Sequence, residues 1–104
     1  MSLYECHLTI PAANAAAGKE IAAKLHWKFS VIVGDPVLGK HVFAYLTTHG
    51  TDLMKVMGRM NEVSAEIRAY GVDVIREKIE LIVYDTKVGI GVYPNPTQRE
   101  LEVK

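Results

Sequence analysis

The sequence predicts an α+β fold, a ferredoxin-like β-α-β-β-α-β sandwich. Three observations carry this expectation. Four segments alternate apolar and polar residues with a period of two, two others repeat apolar residues every three or four positions, and turn residues punctuate the junctions. Segments in that order, joined by right-handed crossovers, place both helices on one face of a four-stranded antiparallel sheet in strand order 4-1-3-2.

The first strand is "YECHLTI", residues 4–10, with Tyr4, Cys6, Leu8 and Ile10 on one side and Glu5, His7 and Thr9 on the other. Pro11 and Asn14 then mark a turn and a helix start, and residues 15–25 are dominated by Ala, Lys, Glu and Leu, all good helix formers. Ala17, Ile21 and Leu25 recur every four residues, a narrow apolar stripe suited to close packing. Residues 27–33 are β-like, with Trp27, Phe29, Val31 and Val33 on one phase and Lys28 and Ser30 on the other. "GDPVLGK", residues 34–40, has the Gly and Asp-Pro chemistry of a hairpin loop.

The third strand is "HVFAYLTTH", residues 41–49, in which Val42, Ala44 and Leu46 alternate against His41, Phe43, Tyr45 and Thr47. Gly50 ends it. Thr51 is placed to cap a long helix, Asp52 suits that helix's positive end, and Leu53, Val56, Met57, Met60, Val63 and Ile67 trace its core stripe. The grouping of Met54, Met57 and Met60 at helical spacing reads as core filling. Gly71 stands where a left-handed C-terminal cap belongs. In residues 72–85, Ile75, Ile79, Leu81 and Val83 share one phase, while Arg76, Lys78 and Glu80 share the other. Glu77 interrupts the apolar phase and marks an edge strand. A single domain over 1–87 is followed by a tail, 88–104, whose alternating Val88, Ile90 and Val92 suit a short extra edge strand or a dimer arm.

Composition narrows the function classes. Lys plus Arg and Asp plus Glu number 12 each, so no global field draws the chain toward nucleic acid or an acidic membrane. The single cysteine, Cys6, excludes an internal disulfide and a multi-Cys zinc site, and on an apolar phase it reads as a small buried hydrophobe. No long apolar span and no basic-then-apolar leader is present, which makes the expected location cytoplasmic, with no membrane contact. His7, His26, His41 and His49 lack the spacing of a zinc site, and no pattern requires a metal or cofactor.

Function is therefore expected on the sheet face that the helices leave open. There Glu5, His7 and Thr9 meet His41, Phe43, Tyr45 and Thr47, with His49 at the end of the same strand, flanked by Arg76, Lys78 and Glu80 on one side and Lys28 and Ser30 on the other. Hydrogen-bond donors, cations, an imidazole and two aromatic rings suit a phosphate-bearing or otherwise anionic ligand. His7 would act as acid or base, Thr9 and Tyr45 would position the ligand, and Arg76, Lys78 and Lys28 would neutralise its charge. The same alternation also belongs to any antiparallel sheet with one solvated face, and two exposed aromatics such as Phe43 and Tyr45 suit a homodimer contact. The first reading is accordingly a non-catalytic module for self-association or ligand binding, and the second a phosphate-ligand enzyme.

"HLTI" adds a resemblance. His7-x-Thr9 between apolar residues resembles one half of the H-x-T/S signature of the two-histidine phosphoesterases, whose paired histidines serve as acid and base. Only one copy is present, and Thr47-x-His49 reverses its order. The F-x-Y pair of "KHVFAYL" is similar to the stacking strand of the RNA-recognition domain, which implies a single-stranded RNA platform on Phe43 and Tyr45. The net charge of zero argues against that, because RNA binding draws much of its free energy from cations. Acylphosphatases have the same topology, but "PAANAAAGK" lacks their arginine-bearing glycine loop.

Overall fold

A computed structural model describes the backbone at residues 2–35, 39–85 and 90–91, and the side-chain surroundings at 2–32 and 42–83. The chain runs β1 (Leu3–Pro11), α1 (Ala15–Leu25), β2 (Lys28–Asp35), β3 (Gly39–Gly50), α2 (Leu53–Ala69) and β4 (Arg76–Ile82). β1 pairs antiparallel with β3 and β4, and β3 pairs antiparallel with β2, giving the sheet order β2-β3-β1-β4. Two further strands of two residues, β5 (Tyr84–Asp85) and β6 (Ile90–Gly91), pair with each other in a separate two-stranded sheet. Among the described residues, then, the tail contributes Ile90–Gly91 to this small sheet. The Pro36–Leu38 part of the expected hairpin loop, residues 86–89 and 92–104 with Val88 and Val92 of the expected tail strand, and the side chain of His41 lie outside the described residues.

One buried cluster holds the layers together. Cys6, Leu8 and Ile10 from β1 and Ala44 and Leu46 from β3 meet Ile21 and Ala22 from α1 and Val56, Val63 and Ile67 from α2. On β1 and β3 the residues in it are all even-numbered, with Phe29 of β2 and Ile79 of β4 packed beside them in register, so both helices cover one sheet face and the opposite phase of each strand is left to the other. Each large aliphatic side chain withdrawn from water this way contributes about 2 kcal/mol.

Several expectations shift in detail. The buried stripe of α1 is Gly18, Ile21 and Ala22, with Ala17 and Leu25 only flanking it. Gly18 explains the shift: a Cβ there would stand 2.5 Å from Ile10 Cδ1, so the missing side chain lets the helix backbone approach the sheet. The N-cap of α2 is Asp52, not Thr51, and its side chain accepts a hydrogen bond from the Lys55 amide at 3.2 Å. Of the methionine group only Met60 packs on the core, while Met54 is 73% exposed, because its position turns away from the sheet.

The apolar phase also overruns the helix layer. α1 lies chiefly over β2 and β3 and α2 over β1 and β3, so Ile75, Leu81 and Val83 at the β4 edge and Val31 and Val42 at the β2 edge remain exposed. Glu77 is on edge strand β4 as its sequence position implied. Its carboxylate turns under α2, where it accepts hydrogen bonds from Ser64 Oγ at 2.9 Å and Arg68 Nη2 at 3.4 Å. A buried hydroxyl and a guanidinium thus satisfy the charge that breaks the apolar pattern. Gly71, with φ of +77°, does take the left-handed position after α2.

Candidate functional site

The strand register arranges the open face in four cross-strand rows. His49, Glu5 and Glu80 form the first; Lys28, Thr47, His7 and Lys78 the second; Ser30, Tyr45, Thr9 and Arg76 the third; Ile32, Phe43 and Pro11 the last. Chemistry therefore changes along the strands, from an acidic end through two rows of cations and hydroxyls to an apolar end.

A groove of about 230 Å³ runs across the middle of this face. Each strand contributes two lining residues: Ser30 and Ile32, Tyr45 and Thr47, His7 and Thr9, Arg76 and Lys78. Five of the seven residues proposed from sequence, His7, Thr9, Tyr45, Arg76 and Lys78, thus share one cavity. Lys28 and Phe43 are not in its wall; Lys28 stands beside Thr47 at the exposed rim, and Phe43 sits half-buried between Ile32 and Pro11. Thr9 and Tyr45 form the floor, 2% and 8% exposed. The expectation of an exposed Tyr45 is therefore corrected: on a central strand it is flanked by Ser30 on one side and Thr9 on the other. An RNA base would not find its ring presented as an open platform.

The acidic end holds the imidazole. His7 Nδ1 lies 2.9 Å from Thr47 Oγ1, and His7 Nε2 lies 2.5 Å from Glu5 Oε1. The other oxygen of Glu5 is 3.1 Å from His49 Nε2, so one carboxylate bridges two histidines. Glu5 and Glu80 face each other across the β1–β4 pair, a like-charge contact that would cost free energy alone. Lys78 Nζ offsets it 3.0 Å from Glu80 Oε1, and this hydrogen bond holds the Glu80 carboxyl below the usual carboxylate range.

The cations differ in how committed they are. Lys78 is already paired, whereas the half-buried Arg76 guanidinium makes no ion pair among the described residues. It therefore presents a partly desolvated positive charge to the groove, with the hydroxyls of Thr9, Ser30 and Thr47 nearby in the same wall. Among the described residues no group of three or more His, Cys, Asp or Glu side chains is arranged to hold a metal ion, and no helix is long and apolar enough to cross a membrane.

Sequence reading placed Glu5, Thr47 and His49 on this face without giving them a part in the site. Alternation fixes which side of a strand a residue takes, but only register decides that Thr47 stands opposite His7. Comparison with protein-family models, with curated proteins and with solved structures gives no match to this chain.

Proposed function

We propose that the chain is a ligand-binding module, a ferredoxin-like sandwich whose open-face groove holds a small anion carrying a phosphate or carboxylate group. The observation that supports this reading is Arg76, a half-buried guanidinium without an ion-pair partner among the described residues, set in a cavity rich in hydroxyl donors. Charge in such a place gains from a bidentate anionic partner that replaces the water it has lost. Lys78 adds a second cation, Thr9 and Tyr45 shape the floor, and Lys28 lies at the rim.

The test is amide and side-chain chemical-shift mapping with inorganic phosphate, mononucleotides and short RNA at moderate salt. Saturable shifts are expected at Arg76, Lys78, Thr9 and Tyr45, and Arg76→Gln should weaken phosphate binding about tenfold or more, the worth of one hydrogen bond to a charged group. Shifts that never saturate, or that scatter over the surface, would sink the reading. A preference for RNA with a steep salt dependence would replace it with the stacking-platform alternative.

A second reading, self-association as a homodimer, draws on the exposed Val31, Ile32 and Val42 around β2, an edge strand that among the described residues pairs with β3 alone. Light scattering would show a mass of twice the chain, reduced to one by Val31→Lys. A monomer at all concentrations refutes it.

A further inference from the structure

Both ring nitrogens of His7 are occupied, and this decides what the groove can do. Glu5 Oε1 lies against Nε2, and Thr47 Oγ1 is 2.9 Å from Nδ1. An ionised carboxylate only accepts, so in the neutral imidazole the proton sits on Nε2 and the lone pair of Nδ1 faces the Thr47 hydroxyl. His7 thus has no free nitrogen to offer a ligand directly. The atom through which its basicity reaches the groove is Thr47 Oγ1, since Thr47 and His7 line the same wall.

A hydroxyl, an imidazole and a carboxylate in that sequence are the components of an activated alcohol nucleophile, a constellation recognised by geometry and roles and independent of fold. We infer that Thr47 is an acyl-accepting nucleophile activated by the His7–Glu5 pair, and that its substrates are small esters bearing an anionic group. The substrate class rests on the anion-binding reading above, because Arg76 would anchor the anionic group while the ester lies toward Thr47.

The step balances without any external reagent. His7 Nδ1 takes the Thr47 hydroxyl proton as Oγ1 bonds to the ester carbonyl carbon, and the carbonyl oxygen becomes an oxyanion. Lys28 and Lys78, the outer members of the same cross-strand row, are the cations nearest in register to stabilise it. Collapse breaks the ester C–O bond, and the departing alkoxide leaves as an alcohol with the proton from His7. Water then attacks the Thr47 ester, gives its proton to His7, and Thr47 leaves with that proton, releasing the acid. Glu5 keeps the tautomer and accepts from the imidazolium throughout; Glu5 is itself held by His49 at 3.1 Å, which makes His49 a positioning residue.

The experiment uses the full chain with p-nitrophenyl acetate as the ester and inorganic phosphate as the anion. Acid-quenched samples are digested and the acetylated residue located by mass spectrometry, alongside the release of p-nitrophenolate. Acetyl on Thr47 is expected, with turnover reduced about 100-fold or more in Thr47→Val, a replacement of similar shape, and largely kept in Thr47→Ser. Phosphate should slow acetylation, and Thr47→Val should still show a saturable phosphate-induced shift at Arg76, at an affinity lowered by the loss of one hydroxyl donor. Acetyl confined to lysines, or equal turnover in Thr47→Val, overturns the nucleophile. If phosphate still perturbs Arg76 in that case, the anion-binding reading survives alone. Acetylation of Thr47 that phosphate leaves unaffected, with no shift at Arg76, upholds the nucleophile and overturns the anionic substrate class.

Discussion

Gly18→Ala tests how closely α1 and the sheet are packed, because two effects of opposite sign meet at one methyl group. Replacing a glycine inside a helix by alanine favours the helix by about 1 kcal/mol. At Gly18 the new Cβ would stand 2.5 Å from Ile10 Cδ1, 3.3 Å from Phe29 Cε2 and 3.5 Å from Leu46 Cδ1. Carbon atoms rest about 3.5 to 4 Å apart, so the Ile10 methyl must retreat by roughly 1 Å. Ile10 and Leu46 are both 0% exposed, which leaves that methyl no solvent to move into. Overpacking of this kind costs about 1 to 3 kcal/mol, which outweighs the propensity gain and leaves a net loss of about 1 kcal/mol.

A double-mutant cycle separates the two effects. Ile10→Val deletes the clashing Cδ1 and by itself costs about 1 kcal/mol. Gly18→Ala in the Ile10→Val background should therefore be neutral or stabilising, a coupling of about 1 kcal/mol between the two sites. Urea unfolding at constant m-value measures each variant, and the single Gly18→Ala change should lower the melting temperature by about 5 °C in a domain of this size. If Gly18→Ala alone raises stability by the full propensity gain, or the two changes add within about 0.4 kcal/mol, the close approach of α1 to β1 is wrong.

Two further outcomes follow from single residues. His26 ends α1 in the left-handed region with φ of 62°, so His26→Gly should stabilise the protein by about 0.5 to 1 kcal/mol in urea unfolding, and a loss would refute the strain argument. The thiol of the fully buried Cys6 is pushed from its ordinary 9.0 up to about 11 by burial, so its contribution to stability is present below pH 9 and lost as pH rises through 11. Relative to Cys6→Ala, wild-type protein should lose about 3 kcal/mol over that interval, and identical alkaline profiles would show that burial does not hold the thiol neutral.

Residue pattern alone made most of the framework legible. The bounds of α1 at Ala15 and Leu25, the left-handed Gly71 and the edge placement of the strand carrying Glu77 all rest on local chemistry: propensity, backbone freedom and alternation. Errors arose where a neighbour in space overrode a local signal. The stripe expected at Ala17, Ile21 and Leu25 moved to Gly18, Ile21 and Ala22 because Ile10 stands against Gly18, and Met54, grouped with Met57 and Met60 by spacing, turned out to face away from the sheet.

The open face divides the same way. By itself the sequence determined that Glu5, His7, Thr9, Tyr45, Thr47, Arg76 and Lys78 would share a face, because side chains in a strand alternate with a period of two. Only the tertiary structure decided which of them meet. Pairing register put Thr47 against His7, let Glu5 bridge His7 and His49, buried Tyr45 between Ser30 and Thr9, and left Arg76 without an ion pair among the described residues. Register is a long-range property, settled by the joint burial of Leu8, Ile10, Ala44 and Leu46 beneath the helices, and no single strand carries that information.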